Sequence, residues 1–589
     1  MKAMRNIDKL RKKMQECGLD AYVSPSSDPH LSEYLPDYYK ERAFLTGFTG
    51  SNGLAVTTLE EGKMWTDGRY FIQAANQIKN SGYDLMKMAT KGYPTYDQWL
   101  FENLKNGSKL GLNALYFSKT SLESLKQKLA DKKIELVDID LVKDIWTENR
   151  QALSNEKAFL LEEKFAGKSA GEKLKEIRKI LEKENCDYLV LGDLPDICWL
   201  FNIRAFDILY TPVLISYALV GHDRAVLFTS EEKIDEKTRT QLLENSIELR
   251  RYEDIFDFLK NLKAKRIMAD PNRLNSKVYD SINCEVVNAQ NPTEKLKSVK
   301  NATEISNLKE AYLRDCVALT KYFYFLKTRI KNENLNEFSA QEILHDFRAQ
   351  DDMFIEESFG TISAYASNAA MMHYSASEKS NRKLEPKSLY LVDSGGQYYL
   401  GTTDITRTLA LGDISDEEKK DFTLVLKSHL NLASFKFLEG TSGHALDAIA
   451  REPLWREGLD YKCGTGHGVG YLLGVHEGPH GISPRPALAP LLPGCVVTIE
   501  PGIYKENKHG IRLENDYYIE YDLENENGQF MRFEVLNYLP FDLDAIDVDL
   551  LTENERRLLN DYHKKTYELL SPHLDGEIKV WLEHYTRPI

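Results

Sequence analysis

At 589 residues the chain is too long for one hydrophobic core, so two to four domains are expected. Its 42% apolar and 28% charged composition is that of an ordinary soluble globular protein, and no stretch approaches the run of about eighteen apolar residues that a membrane span needs. A net charge of −15 argues against nucleic acid or an anionic membrane surface as the main partner.

The first 22 residues, MKAMRNIDKLRKKMQECGLDAY, carry basic side chains but no apolar h-region and no small-residue cleavage site, so no signal peptide is expected. The seven cysteines are odd in number and scattered, with no C-x-x-C. That usage fits a reducing compartment and neither a disulfide framework nor a structural zinc site. A cytoplasmic location is expected.

A weak internal repeat follows. IDKLRKKMQECGLDAYVSPSSDPHLSEYL, near residue 7, and GEKLKEIRKILEKENCDYLVLGDLPDICWLF, near residue 171, each read as an amphipathic helix, a strand, a polar loop and a second helix start. Each continues into strands broken by turns, FLTGFTGSNGLAVTT and FDILYTPVLISYALVGHDRAVLFTS. The alternation predicts two α/β domains of one type. A long helical pattern then spans residues 291–330, with Asn301 as N-cap and Glu304 closing a capping box, and opens a third domain. KSLYLVDSGGQYYLGTTDITRTLAL reads as a strand pair with a glycine-containing connection. Ser415 with Glu418, and Thr552 with Glu555, mark two further helix starts.

The chemistry concentrates in this third region, where seven of the thirteen histidines lie between residues 373 and 509. Asp393, Asp404, Glu500 and Glu514 each adjoin an apolar, strand-like run. Singly, each has an ordinary reading: a strand-end Asp serves as a turn or cap residue, and Asp404 sits among threonines able to hydrogen-bond it. Together, carboxylates at the ends of buried strands are costly unless paired or bound to a cation. Two divalent cations would compensate four of them, and oxygen ligands plus one imidazole suit Mn, Co, Fe or Zn. His467, in GTGHGVG, is the candidate imidazole, and its glycines are expected to keep side chains away from metal and substrate. The glycine run matches neither nucleotide-loop pattern.

LVDSGGQYYLGTTDITRT, GTGHGVG with VHEGP, TIEPGIY and GIRLEND together resemble the three-domain aminopeptidases P, the Xaa-Pro aminopeptidases, which are pita-bread metallopeptidases. FTGSNGLAVTT and MWTDGRYFIQA are similar to the first domain of those enzymes, WLFNIRAFDILYTPVLISYALV to the second, and WLEHYTRPI to the C-terminal tail. The resemblance implies an α/β and α+β architecture. Two creatinase-like α/β N-terminal domains, 1–160 and 161–300, are followed by a pita-bread catalytic domain with a C-terminal extension, 301–589. It implies two divalent metal ions, usually Mn²⁺, held by Asp393, Asp404, His467, Glu500 and Glu514, with Asp404 and Glu514 bridging. It assigns catalytic roles to Glu500 as proton carrier around a metal-bridging hydroxide, to His373 as stabiliser of the tetrahedral intermediate, and to His476 at the substrate carbonyl. Arg512 is expected to pair with Glu514.

The implied substrates are peptides with proline at the second position, and the implied assembly is a homodimer, with no nucleic-acid or membrane partner. One departure stands out: Cys463 occupies a position where relatives commonly carry histidine, in H-G-T-G-H-G. Inert packing and an oxidation-sensitive thiol near the metals are the two readings of that cysteine. Prolidase, acting on Xaa-Pro dipeptides, and a non-catalytic pita-bread binding protein are the alternative functions.

Overall fold

The computed structural model describes residues 4–486 and 489–589, so residues 1–3 and 487–488 lie outside the description below. The chain forms two compact units, residues 1–162 with 168–294, and residues 163–167 with 295–589.

The first unit contains two six-stranded sheets. In the first, the strands in chain order are Ala21–Pro25, Leu54–Thr58, Gly62–Thr66, Asp84–Lys87, Lys109–Leu112 and Glu135–Asp138. Numbered in that order they lie as 4-3-2-1-5-6. The second sheet, Tyr188–Leu191, Ser216–Gly221, Ala225–Thr229, Ile247–Arg251, Arg266–Ala269 and Glu285–Asn288, has the same 4-3-2-1-5-6 order. The directions match too. In both, the first strand runs antiparallel to the second and parallel to the fifth. The weak repeat in the sequence is therefore a repeat of topology.

Both faces of the first sheet are covered, which explains its apolar strands. Tyr22 joins the core built on helix Asn6–Glu16, while its neighbours Ala21 and Val23 join the opposite core, built on Trp99, Leu100, Leu125 and Leu129. Successive side chains of a strand point to opposite faces, so one strand feeds two cores.

The second unit opens with helix Ala302–Arg329, whose Asn301–Glu304 capping box is formed. The Ser415–Glu418 and Thr552–Glu555 boxes are also formed, at helices Asp416–Ala433 and Glu553–Leu570. The segment Glu163–Gly167 clusters with this unit: Asn301 donates to the Ala166 carbonyl at 2.9 Å, and the Tyr471 hydroxyl to that of Phe165 at 2.8 Å. Two antiparallel sheets carry the candidate site. A three-stranded sheet runs Ile362–Tyr365, Leu389–Ser394, Ile405–Ala410. A six-stranded sheet runs Phe437–Leu438, Gly528–Val535, Asn515–Asn525, Val496–Ile499, Gly466–Gly468, Glu477–Ile482. Between its strands Val496–Ile499 and Asn515–Asn525 in the chain lies the hairpin Gly502–Lys505/His509–Arg512.

The alternation of strand residues sorts core from site. Val497, Ile499, Tyr517 and Ile519 pack with Leu432, Leu446 and Ala450 of the covering helices. Thr498, Glu500, Asp516 and Tyr518 take the alternate positions. There the Tyr312 hydroxyl of helix Ala302–Arg329 donates to Asp516, and Lys309 of the same helix donates to the Tyr518 hydroxyl at 3.0 Å.

Candidate metal centre

Asp393 lies in the central strand of the three-stranded sheet, paired in register with Thr406. Asp404 occupies the break between strands Gly401–Thr402 and Ile405–Ala410. Glu514 precedes strand Asn515–Asn525, and its backbone N–H donates to the Thr406 carbonyl at 3.1 Å, which ties the two sheets together at the site. Glu500 follows the strand Val496–Ile499.

His467 sits in the short strand Gly466–Gly468, with its Nδ1 2.9 Å from the Gly468 carbonyl. A carbonyl only accepts, so Nδ1 carries the proton and Nε2 presents its lone pair to the acids. That Nε2 is 3.5 Å from Asp404 Oδ2 and 3.5 Å from Glu500 Oε1. One ligand atom from each of Asp404, His467 and Glu514 lies within 4.8 Å of the others. The His476 ring stands edge-on to His467, 4.3 Å between centroids. His373 follows Met372, whose carbonyl lies 3.5 Å from the Arg512 guanidinium. The four acids, His467 and His476 thus lie in one neighbourhood, and the backbone beside His373 reaches it through Met372.

Burial and mutual repulsion dominate the electrostatics. Asp404 and Glu514 are pushed well above the ordinary carboxylate range, first by burial and then by neighbouring acids, Glu514 acting on Asp404 and Glu500 on Glu514. Burial likewise raises Glu500 to about 7, against the opposing pull of Arg512 and His476. Asp393 is held by the Arg512 guanidinium, which also bonds the Tyr504 hydroxyl at 2.7 Å and stands 4.0 Å from Glu500. Its other oxygen, Oδ1, is buried without a hydrogen-bond partner, as is Oδ1 of Asp516. Buried anionic oxygens left without donors, around an imidazole lone pair, are the donor set that hard divalent cations take. The residues present fit the metals expected from the sequence.

Two expectations need correction. Arg512 pairs with Asp393 and not with Glu514. The strand His509–Arg512 ends at Arg512 and the next begins at Asn515, so side-chain alternation does not carry across from residue 512 to 514. Glu514 is instead held by the Thr406 hydroxyl at 2.6 Å. Second, the glycines around His467 make room for neighbouring backbone. A Cβ at Gly466 would lie 1.9 Å from the Thr498 carbonyl oxygen, and one at Gly468 would lie 2.2 Å from that of Glu477. The strand that carries His467 is squeezed between two others, and glycine permits that approach.

The sequence reading missed three residues that structure the site. Asp516 is fully buried and raised well above the ordinary range by burial, and its two-residue spacing from Glu514 was an available signal. Thr406 is one of the threonines flanking Asp404 in the sequence, yet its hydroxyl serves Glu514. Tyr312 comes from a helix 204 residues away from Asp516, with no local signal. Cys463 packs, partly buried, at the edge of the apolar cluster that includes Tyr504, and its carbonyl accepts from Arg451 at 2.7 Å. No disulfide joins any of the seven cysteines.

The comparisons with known proteins cover the whole chain. The creatinase/prolidase N-terminal domain matches residues 6–145 and, in a second form, 149–304. Metallopeptidase family M24 matches residues 306–521, and the C-terminal region of that peptidase family matches 529–589. Aminopeptidase P2 of Arabidopsis thaliana is 37% identical over 97% of this chain and 86% of its own length. The crystal structure of X-prolyl aminopeptidase from Caenorhabditis elegans, a cytosolic enzyme with a di-nuclear active site, matches with a TM-score of 0.95 and 33% identity over 100% of both chains. The Xaa-Pro dipeptidase of Bacillus anthracis matches 64% of this chain and 99% of its own at a TM-score of 0.51 and 25% identity, leaving the rest of this chain without a counterpart. This chain belongs to the aminopeptidase P family of Xaa-Pro aminopeptidases, in which creatinase/prolidase-type N-terminal domains precede an M24 metallopeptidase domain.

Proposed function

We propose that this enzyme removes the N-terminal residue of peptides whose second residue is proline, using two divalent cations, Mn²⁺ in its working form. The observation that carries this reading is the buried cluster of Asp393, Asp404, Glu500 and Glu514 around His467, with an Asp393 oxygen lacking any donor. Asp404 and Glu514 would serve both ions, Asp393 would complete one site, and His467 with Glu500 the other. When bound, such ions polarise a carbonyl and bring the pKa of water toward neutrality.

The chain's own residues supply the rest. Glu500 is assigned as the carrier of a proton to the leaving proline nitrogen, which must be protonated to depart. Its neighbour Thr498, 3.3 Å away, orients the carboxylate. His476 is assigned as a hydrogen-bond donor to the substrate carbonyl and His373 to the oxyanion that develops from it, a role whose loss typically costs about 10²–10³ in kcat. We divide the chain at 1–160, 161–300 and 301–589, a division supported by the end of the second sheet at Asn288 and the helix start at Ala302. A cytoplasmic homodimer is the proposed working state. No helix among the described residues is long and apolar enough to cross a membrane.

The test is release of the first residue from Arg-Pro-Pro against Arg-Ala-Pro after EDTA treatment, with and without Mn²⁺. Manganese-dependent cleavage of the proline peptide alone is expected. A preference for the dipeptide Arg-Pro over longer peptides would favour prolidase, and two bound metals without turnover would favour a binding protein. Light scattering of the purified enzyme reads the oligomeric state.

A further inference from the structure

His373 lies in a stretch, residues 365–382, with little regular secondary structure. Its sequence is YASNAAMMHYSASEKSNR, in which half of the apolar side chains are alanine. From Ser377 to Ser380 every residue is exposed. Ala369, Tyr374, Ala376 and Met371 of this stretch pack with Ile362, Ala364, Leu391 and Phe338 in a small apolar cluster. Its polar attachments converge on a carboxylate. Glu337, the first residue of helix Glu337–Arg348, is fully buried. Its Oε1 accepts from the Tyr365 backbone N–H at 2.7 Å and the Asn368 amide at 3.0 Å. Its Oε2 accepts from the same Asn368 amide at 3.0 Å, the Tyr374 hydroxyl at 2.7 Å and the Arg382 backbone N–H at 2.7 Å. All four donor groups belong to the stretch that carries His373, and Tyr374 is its immediate neighbour.

The backbone reinforces the same attachment. The Glu337 N–H donates to the Arg382 carbonyl at 3.0 Å, and the Glu337 carbonyl accepts from Ser363 at 2.6 Å. On its other side the loop is pressed against the strand His509–Arg512. A Cβ on Gly510 would lie 1.8 Å from the Ala369 carbonyl, and Arg512, which holds Asp393, reaches the Met372 carbonyl. The loop is therefore held between a carboxylate hub and the strand that orients a candidate metal ligand.

We infer that Glu337 is a positioning residue for the reaction: its buried carboxylate gathers the 365–382 loop and thereby sets His373 against the metal centre. The inference rests on the catalytic role proposed above for His373. Glu337→Gln is the informative change, because the shape is kept while one acceptor oxygen becomes an NH2 donor. That donor then faces a backbone N–H, which cannot turn round to accept.

The experiment is a double-mutant cycle of Glu337→Gln with His373→Ala in the Mn²⁺-loaded enzyme on Arg-Pro-Pro, together with metal content and hydrogen–deuterium exchange. Misplacing a catalytic group by about 1 Å costs up to roughly a hundredfold, so kcat in Glu337→Gln should fall roughly ten- to a hundredfold. KM and metal stoichiometry should hold, and amide exchange over 365–382 should rise. In the His373→Ala background the same change should cost little more, since residues acting as one unit are not additive. Losses that multiply in the double variant, or unaltered exchange over 365–382, would overturn the inference. Wild-type kcat in His373→Ala would remove the reading beneath it, and would be recognised because exchange in Glu337→Gln would still rise. If Glu337→Gln does not fold, Tyr374→Phe, which deletes one donor and keeps the carboxylate, should show the same non-additivity with a smaller loss.

Discussion

Removing the metals should make this enzyme less stable as pH rises from about 5 to 7, because of the acids gathered at the centre. Glu500 stands at about 7 in the folded protein against an ordinary 4.5. Between these values the folded state keeps a proton that the unfolded chain has released. The folded state therefore binds more protons, and stability falls with rising pH until the folded group has itself ionised. The full difference corresponds to about 3 kcal/mol. With a fifth of the Glu500 side chain open to solvent, roughly 2–3 kcal/mol survives. Asp404, Glu514 and Asp516 are raised as well and act in the same direction. At roughly 2 °C per kcal/mol for a large domain, the EDTA-treated protein should lose about 5 °C of Tm across this window. Differential scanning calorimetry at several pH values, with and without Mn²⁺, reads the effect. The loaded protein should lack this decline, since cations take the place of the protons, and Glu500→Gln should flatten the metal-free slope. A metal-free Tm that is constant or rises across the window, or an unchanged slope in Glu500→Gln, would refute the reasoning.

Other expected outcomes follow from named contacts. Thr406→Val removes the 2.6 Å hydrogen bond to Glu514 and the 3.2 Å acceptor of Arg512, so metal affinity should drop roughly 10–100-fold in a calorimetric titration. Asp404→Ala should abolish activity and lower the metal content measured by mass spectrometry. His480→Ala, which loses a 2.7 Å bond to the Val496 carbonyl and a hydrogen bond with the Cys495 thiol, should keep most activity at some cost in Tm. Glu477 is clamped between the buried Lys297 and Lys300, so Glu477→Gln leaves two ammonium groups with too little compensation. It should cost about 3–5 kcal/mol in urea unfolding.

The sequence alone determined whatever depends on neighbours along the chain. The capping boxes at Asn301, Ser415 and Thr552 close within three residues, and each is formed. The acids at Asp393, Asp404, Glu500 and Glu514 stood out because each interrupts an apolar run, and a buried charge there needs compensation wherever the strand packs. The duplicated sheets were legible because helix and strand periods differ. The tertiary structure decided which distant groups meet. Arg512 chose Asp393, 119 residues away, over Glu514, two residues away, because a strand ended between them. The glycines around His467 answered to the carbonyls of two flanking strands, and Tyr312 and Glu337 reached the site region from helices whose sequences carry no sign of it. Periodicity and capping are written in contiguous residues, whereas such partnerships exist only once chain closure brings separate segments within hydrogen-bond range.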